Sequence, residues 1–129
     1  MPERRYKGYR IYAYIALARL FAELDLQLQQ PDVVARAQAA LQRLETRVSK
    51  EEILHAIRSN SHMTEKVIEH LVAEGFAEVR KDERGYDVRI TPSGVEHLKR
   101  YDAFYRDLYR KELQDHTRYV PRPDYLGST

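Results

Sequence analysis

Histidine is the most versatile chemical side chain in this sequence, since imidazole can bind a metal or carry a proton near neutral pH. None of His55, His62, His70, His97 and His116 has the paired spacing of a zinc site with supporting carboxylates, and no His-Glu-x-x-His occurs. There is no cysteine, which excludes disulfides, thiolate nucleophiles and cysteine-ligated zinc. The glycines are scattered, so no glycine-rich phosphate loop forms, and there is no Gly-x-Ser-x-Gly elbow. The acid pairs Glu51-Glu52 and Asp82-Glu83 are accounted for by a helix cap and a turn. This inventory implies no enzyme, no cofactor and no metal. It does leave a basic arm, Arg4, Arg5, Lys7 and Arg10, which could reach phosphates or a minor groove. The plainer reading of that arm is a frayed terminus kept in solution by its charge.

Positioning any side chain takes a fold, and 129 residues suit one domain with a sizeable core. Hydrophobic residues at 43% and charged residues at 33% are typical of a globular chain. The N-terminus lacks a signal-peptide pattern. The most apolar run, Ile11 to Leu24, is interrupted by Arg19 and Glu23 and falls short of the about 20 apolar residues that cross a bilayer. A cytoplasmic protein with no membrane partner is expected. Charge is uneven: residues 1–10 carry four basic side chains and one acidic, whereas residues 58–90 carry six basic and seven acidic.

Turn and cap signals divide the chain into six elements. A first helix spans about Tyr9 to Gln29 and is apolar nearly all round in its first half, so it must be buried on all sides. A small domain rarely supplies that much cover, which points to a second subunit; the alternative is the central helix of a monomer core. Pro31 opens a second helix, Asp32 to about Arg47, with Val34, Ala37, Leu41 and Leu44 at helical spacing. Ser49-Lys50-Glu51-Glu52 is a capping box that starts a third helix with Ile53, Leu54 and Ile57 inward. After a polar turn, Arg58 to Ser61, a fourth helix runs from near His62 to Glu74-Gly75, with Thr64, Val67, Ile68 and Leu71 inward. Phe76–Lys81 and Tyr86–Ile90 then form a hairpin around Asp82-Glu83-Arg84-Gly85. Alternation puts Lys81 and Arg89 on a different face from Arg80. Thr91 caps and Pro92 opens a last helix to about Asp115, with Leu98, Tyr101, Phe104, Tyr105, Leu108 and Tyr109 as a packing stripe. A tyrosine-lined ligand pocket is the sharper reading of that stripe.

Short helix, tight turn, second helix, hairpin and final helix make the plan of a winged helix-turn-helix. The expected class is mainly α with a small β-hairpin wing: one domain over residues 1–129. Within it fall a basic arm (1–8), an N-terminal helix (9–29), a winged-helix core (32–98), a C-terminal helix (92–115) and a tail (116–129). Val67-Ile68-Glu69-His70-Leu71-Val72-Ala73-Glu74-Gly75-Phe76 resembles the end of the recognition helix in the MarR and PadR families. Asp82-Glu83-Arg84 is similar to the acidic-x-arginine wing signature of MarR proteins. Arg89-Ile90-Thr91-Pro92-Ser93-Gly94 resembles the strand-to-helix junction of both. The resemblance covers about residues 49–98.

That resemblance implies a dimeric transcription regulator of double-stranded DNA, with terminal helices at the dimer interface. Ile11, Tyr14, Ile15, Leu17, Phe21, Tyr101, Phe104, Tyr105 and Leu108 are the interface residues it suggests. It places base-reading groups at the start of the fourth helix: Asn60, Ser61, His62, Glu65 and Lys66. In the wing it offers Arg80, Lys81 and Arg84, with Arg89 nearby, as phosphate or minor-groove contacts. Glu65 could accept from a cytosine amino group but would repel phosphates; the bland reading of the whole set is a solvated helix face. A small-molecule effector is compatible with the class, and no residue pattern supports one. Two alternatives stay open: a winged-helix module that binds protein, and a plasmid or phage replication or partition protein.

Overall fold

In the computed structural model, described over residues 9–43 and 46–115, the elements are five helices and a three-stranded antiparallel sheet. The order is α1 (Tyr9–Ala22), α2 (Val33–Arg43), β1 (Val48–Ser49), α3 (Lys50–Ile57), α4 (Ser61–Ala73), β2 (Ala77–Asp82), β3 (Gly85–Ile90) and α5 (Pro92–Asp115). This is a winged helix-turn-helix: α3 and α4 form the pair, and β2 and β3 the wing.

Local signals set most boundaries. Ser49 and Glu52 close the capping box on α3 from both sides. Arg58 ends that helix in the left-handed region, φ 55°, and returns its amide to the Leu54 carbonyl. Asn60 then caps α4 by accepting from the Met63 amide at 2.7 Å. At the far end of α4, Gly75 takes φ +81° while the Phe76 amide reaches back to the Leu71 carbonyl, a glycine-dependent stop. Thr91 caps α5 by accepting from the Gly94 amide at 3.1 Å.

α1 runs through the centre and contacts α3, α4, α5 and β3. The chain itself therefore supplies the cover that seemed to call for a second subunit. Ile11, Tyr14, Ile15, Leu17 and Phe21 all lie in its own core, none more than 8% exposed. A polar linkage crosses this core: the Tyr14 hydroxyl donates to Asp102 of α5 at 3.0 Å, and Asp102 also accepts from Arg106 at 2.7 Å. Of the inward residues expected on α3 and α4, Leu54 is half-buried and the rest are buried.

Three expectations change. α1 ends at Ala22 rather than Gln29, because Glu23, Leu24 and Asp25 tighten into a turn with Asp25 at φ 55°. From there Leu24 is buried and Leu26 and Leu28 are partly buried against the core, alternating with exposed Asp25, Gln27 and Gln29. α2 ends at Arg43 and buries Val33, Ala37, Ala40 and Leu41, with Val34 half-buried; Leu44 lies outside the described residues. Val48-Ser49 is a strand as well as a boundary, pairing with Val88 and Asp87 of β3.

Gly94 sits where α5 crosses the entry to the wing. A Cβ there would run into the Phe76 carbonyl oxygen and come within 2.8 Å of Ile90 Cγ1. Helix propensity alone would favour alanine by about 1 kcal/mol. Overpacking against backbone outweighs it, so Gly94→Ala should lower stability by about 2 kcal/mol. A urea or thermal midpoint equal to that of the parent would contradict this close approach.

Candidate nucleic-acid interface

The turn Arg58-Ser59-Asn60 brings α4 in with its first residues facing solvent. Ser61, His62 and Lys66 are exposed on it, together with Glu69 and His70. Asn60 is exposed too, but its side-chain oxygen serves as the helix cap. Thr64 is buried, with its hydroxyl donating to the Asn60 carbonyl at 2.8 Å.

Glu65 is engaged within the protein. Its carboxylate turns inward, accepting from Lys50 Nζ at 2.7 Å and from the Tyr86 hydroxyl at 3.2 Å. Lys50 and Lys81 stand 5.3 and 4.8 Å from the centre of the Tyr86 ring, within cation–π range. The Lys50 bond leads in holding the Glu65 carboxyl below its ordinary range. Burial, then the Glu65 charge, push the Tyr86 hydroxyl up to about 12. Sequence reasoning passed over Lys50 and Tyr86, whose partner lies 15 and 21 residues away.

The hairpin turns through Glu83 and Arg84, with Asp82 paired to Gly85. Arg80 therefore faces Asp87 and Glu78 faces Arg89, so Arg89 shares a face with Arg80, contrary to the expected alternation. The cause is the two-residue turn, whose register matches even-numbered residues of β2 with odd-numbered ones of β3. On that face the charges cancel: Arg80 pairs with Asp87 at 3.0 Å, and Arg89 with Glu78 at 3.1 Å. Arg89 also donates to the Leu41 carbonyl at 3.2 Å, which ties it to α2. Lys81 lies on the opposite face and is exposed. Arg84, at the tip, is exposed, and its guanidinium has no ion-pair partner among the described residues. Between the wing tip and the starts of α3 and α4 lies an open groove of about 420 Å³, bordered by Lys50, Ser61, Arg84 and Tyr86.

Elsewhere, Arg10 lies over the Phe104 ring of α5 at 5.6 Å; Arg4, Arg5 and Lys7 lie outside the described residues. Of the stripe on α5, Leu98 is buried and Tyr105 and Leu108 are half-buried, while the side chain of Tyr109 lies outside the described residues. Tyr105 stacks on Tyr14 at 5.1 Å, and His97 stacks on Phe76 at 4.3 Å. The space between them, about 20 Å³, has room for roughly one water. Burial there pushes the His97 pKa down. Tyr101 and Phe104 are 42% and 49% exposed.

No protein-family model matches the chain, and no curated protein matches its sequence. Its shape is similar to that of BpsR from Bordetella bronchiseptica, solved in work on regulation of that protein's DNA binding by 6-hydroxynicotinic acid. The identity is 18%, the match covers 88% of this chain and 79% of that one, and the TM-score is 0.46. Among the described residues no helix is long and apolar enough to cross a membrane.

The Tyr86 phenol carries a pH signature. Its folded pKa, about 12, lies above the ordinary 10, so its contribution is complete below pH 10 and is lost as pH rises towards 12. Tyr86→Phe should lower stability by about 1 kcal/mol at pH 8, and the gap to the parent should close at pH 11 to 12. Urea midpoints at the two ends of that range check it. A gap of unchanged size at high pH would mean that the hydroxyl bond is not its source.

Proposed function

We propose that this chain is a cytoplasmic, non-catalytic regulator of transcription that binds double-stranded DNA as a homodimer. The observation that carries the reading is the pairing of an exposed α4 start with an exposed arginine at the wing tip. Ser61, His62 and Lys66 would enter a major groove about 12 Å wide, while Arg84 would meet phosphate or the minor groove beside it. Asn60 would support them as the cap, Lys81 would add charge, and Arg80, already paired with Asp87, would contribute least. The pairing of Glu65 with Lys50 removes the phosphate repulsion that an unpaired carboxylate at this point would bring.

The near-neutral exposed face of α4, which mixes Lys66 with Glu69, favours a second reading, a module that docks on protein. Salt separates the two, because phosphate contacts release counterions and protein docking does not. Fluorescence anisotropy with a random duplex pool at two salt concentrations should show binding that weakens steeply as salt rises. Lys66→Ala and Arg84→Ala should each weaken it by about tenfold, with the salt slope falling by about one if the lost contact is to phosphate. Neither should shift the melting temperature by more than a few degrees. No binding at low salt would move the assignment to the protein-docking reading.

With the α1 residues enclosed in the core, the proposed dimer contact falls on α5, where Tyr101 and Phe104 are exposed and Tyr105 and Leu108 half-buried. A homodimer would present two α4 helices to half-sites about 34 Å apart. Light scattering at micromolar concentration should give twice the chain mass, and Phe104→Glu should halve it. A monomer before substitution would remove this part of the reading.

A further inference from the structure

Glu65 stands on the recognition helix and yet has both carboxylate oxygens engaged inside the protein. Lys50 Nζ holds Oε1 from the start of α3, and the Tyr86 hydroxyl holds Oε2 from β3. Three elements remote in sequence thus meet on one half-buried side chain. The two bonds are charge-assisted, the stronger class of hydrogen bond. Using Glu65 to read a base would mean breaking both.

The wing explains why such a junction matters. β1 pairs only with Val88 and Asp87, so the outer part of the hairpin, from Tyr86 to the turn, lies beyond its reach. Tyr86 is the first residue past that support and is paired across the hairpin with Lys81. Its hydroxyl links this outer part to α4, and Lys50 and Lys81 both approach its ring. Arg84 is two residues further on.

We propose that Glu65 is a positioning residue: through Tyr86 and Lys50 it fixes the wing tip against α4, so that Arg84 and Lys66 meet a duplex as one rigid surface. The proposal rests on the DNA-binding reading for its consequence, though not for its geometry. Glu65 itself contacts neither base nor phosphate.

Two measurements on the full chain test it. Hydrogen exchange of the free protein should show the amides of residues 82–87 exchanging several-fold faster in Glu65→Ala and in Tyr86→Phe. The amides of Val67 to Leu71 in the middle of α4 should be unchanged. Anisotropy should show each variant binding duplex DNA about fivefold more weakly, the net scale of one ordinary hydrogen bond, and Tyr86→Phe, which changes no charge, should keep the parent's salt slope. Glu65→Ala combined with Tyr86→Phe should be no weaker than the worse single variant, and Arg84→Ala should cost less in the Glu65→Ala background than alone. Wing exchange unchanged in Tyr86→Phe would overturn the proposal. So would a Glu65→Ala variant that relaxes preference at a single base pair with wing protection intact. Because exchange is read without DNA, a chain that binds no duplex would sink the functional reading and still leave the junction tested.

Discussion

Enclosure of α1 is the constraint on which the rest depends. A helix that buries Ile11, Tyr12, Tyr14, Ile15, Leu17 and Leu20 to within 3% of full burial must be wrapped on every side. α3, α4, α5 and β3 do the wrapping. Ala16 and Ala18, both buried, add little bulk to its surface. The Tyr14–Asp102 bond gives the α1–α5 contact a fixed register, because a buried carboxylate must keep its partners. With their inner faces committed to α1, α3 and α4 can turn only their other faces to solvent.

The charge pattern follows the same economy. On the outer face of the wing, cross-strand pairs bind Arg80 to Asp87 and Arg89 to Glu78. On α4, Glu65 is neutralised by Lys50. Few cations then remain outward beside α4 and the wing tip, which fits a net charge of only +2. An interface of this kind would draw less on long-range attraction than on the placement of a few side chains. In the proposed interface, geometry between helix and wing would therefore carry more weight than in a strongly basic protein.

Much of the fold was legible because its signals are local. The Ser49–Glu52 box, Gly75, the Asp82–Gly85 turn and Thr91-Pro92 each act within a few residues, and the elements they bound stand close to where they were expected. What was not legible depends on distance or register. β1 has two residues and no periodicity of its own; it exists because β3 offers it an edge. The end of α1 is set where Leu24 tucks into the core. The face of Arg89 turns on one residue of hairpin register. The placement of the candidate residues was legible in outline, as exposed polar residues at a helix start beside a wing arginine. The inward turn of Glu65 was hidden, since Lys50 and Tyr86 are brought to it only by folding.

The most direct measurement is a titration of isotopically labelled protein with duplex DNA, followed by amide chemical shifts at near-physiological salt. The largest changes should fall on Ser61, His62, Lys66 and Arg84, with the core of α1 unmoved. Shifts confined to the Tyr101–Phe104 surface of α5, or none at all, would contradict it.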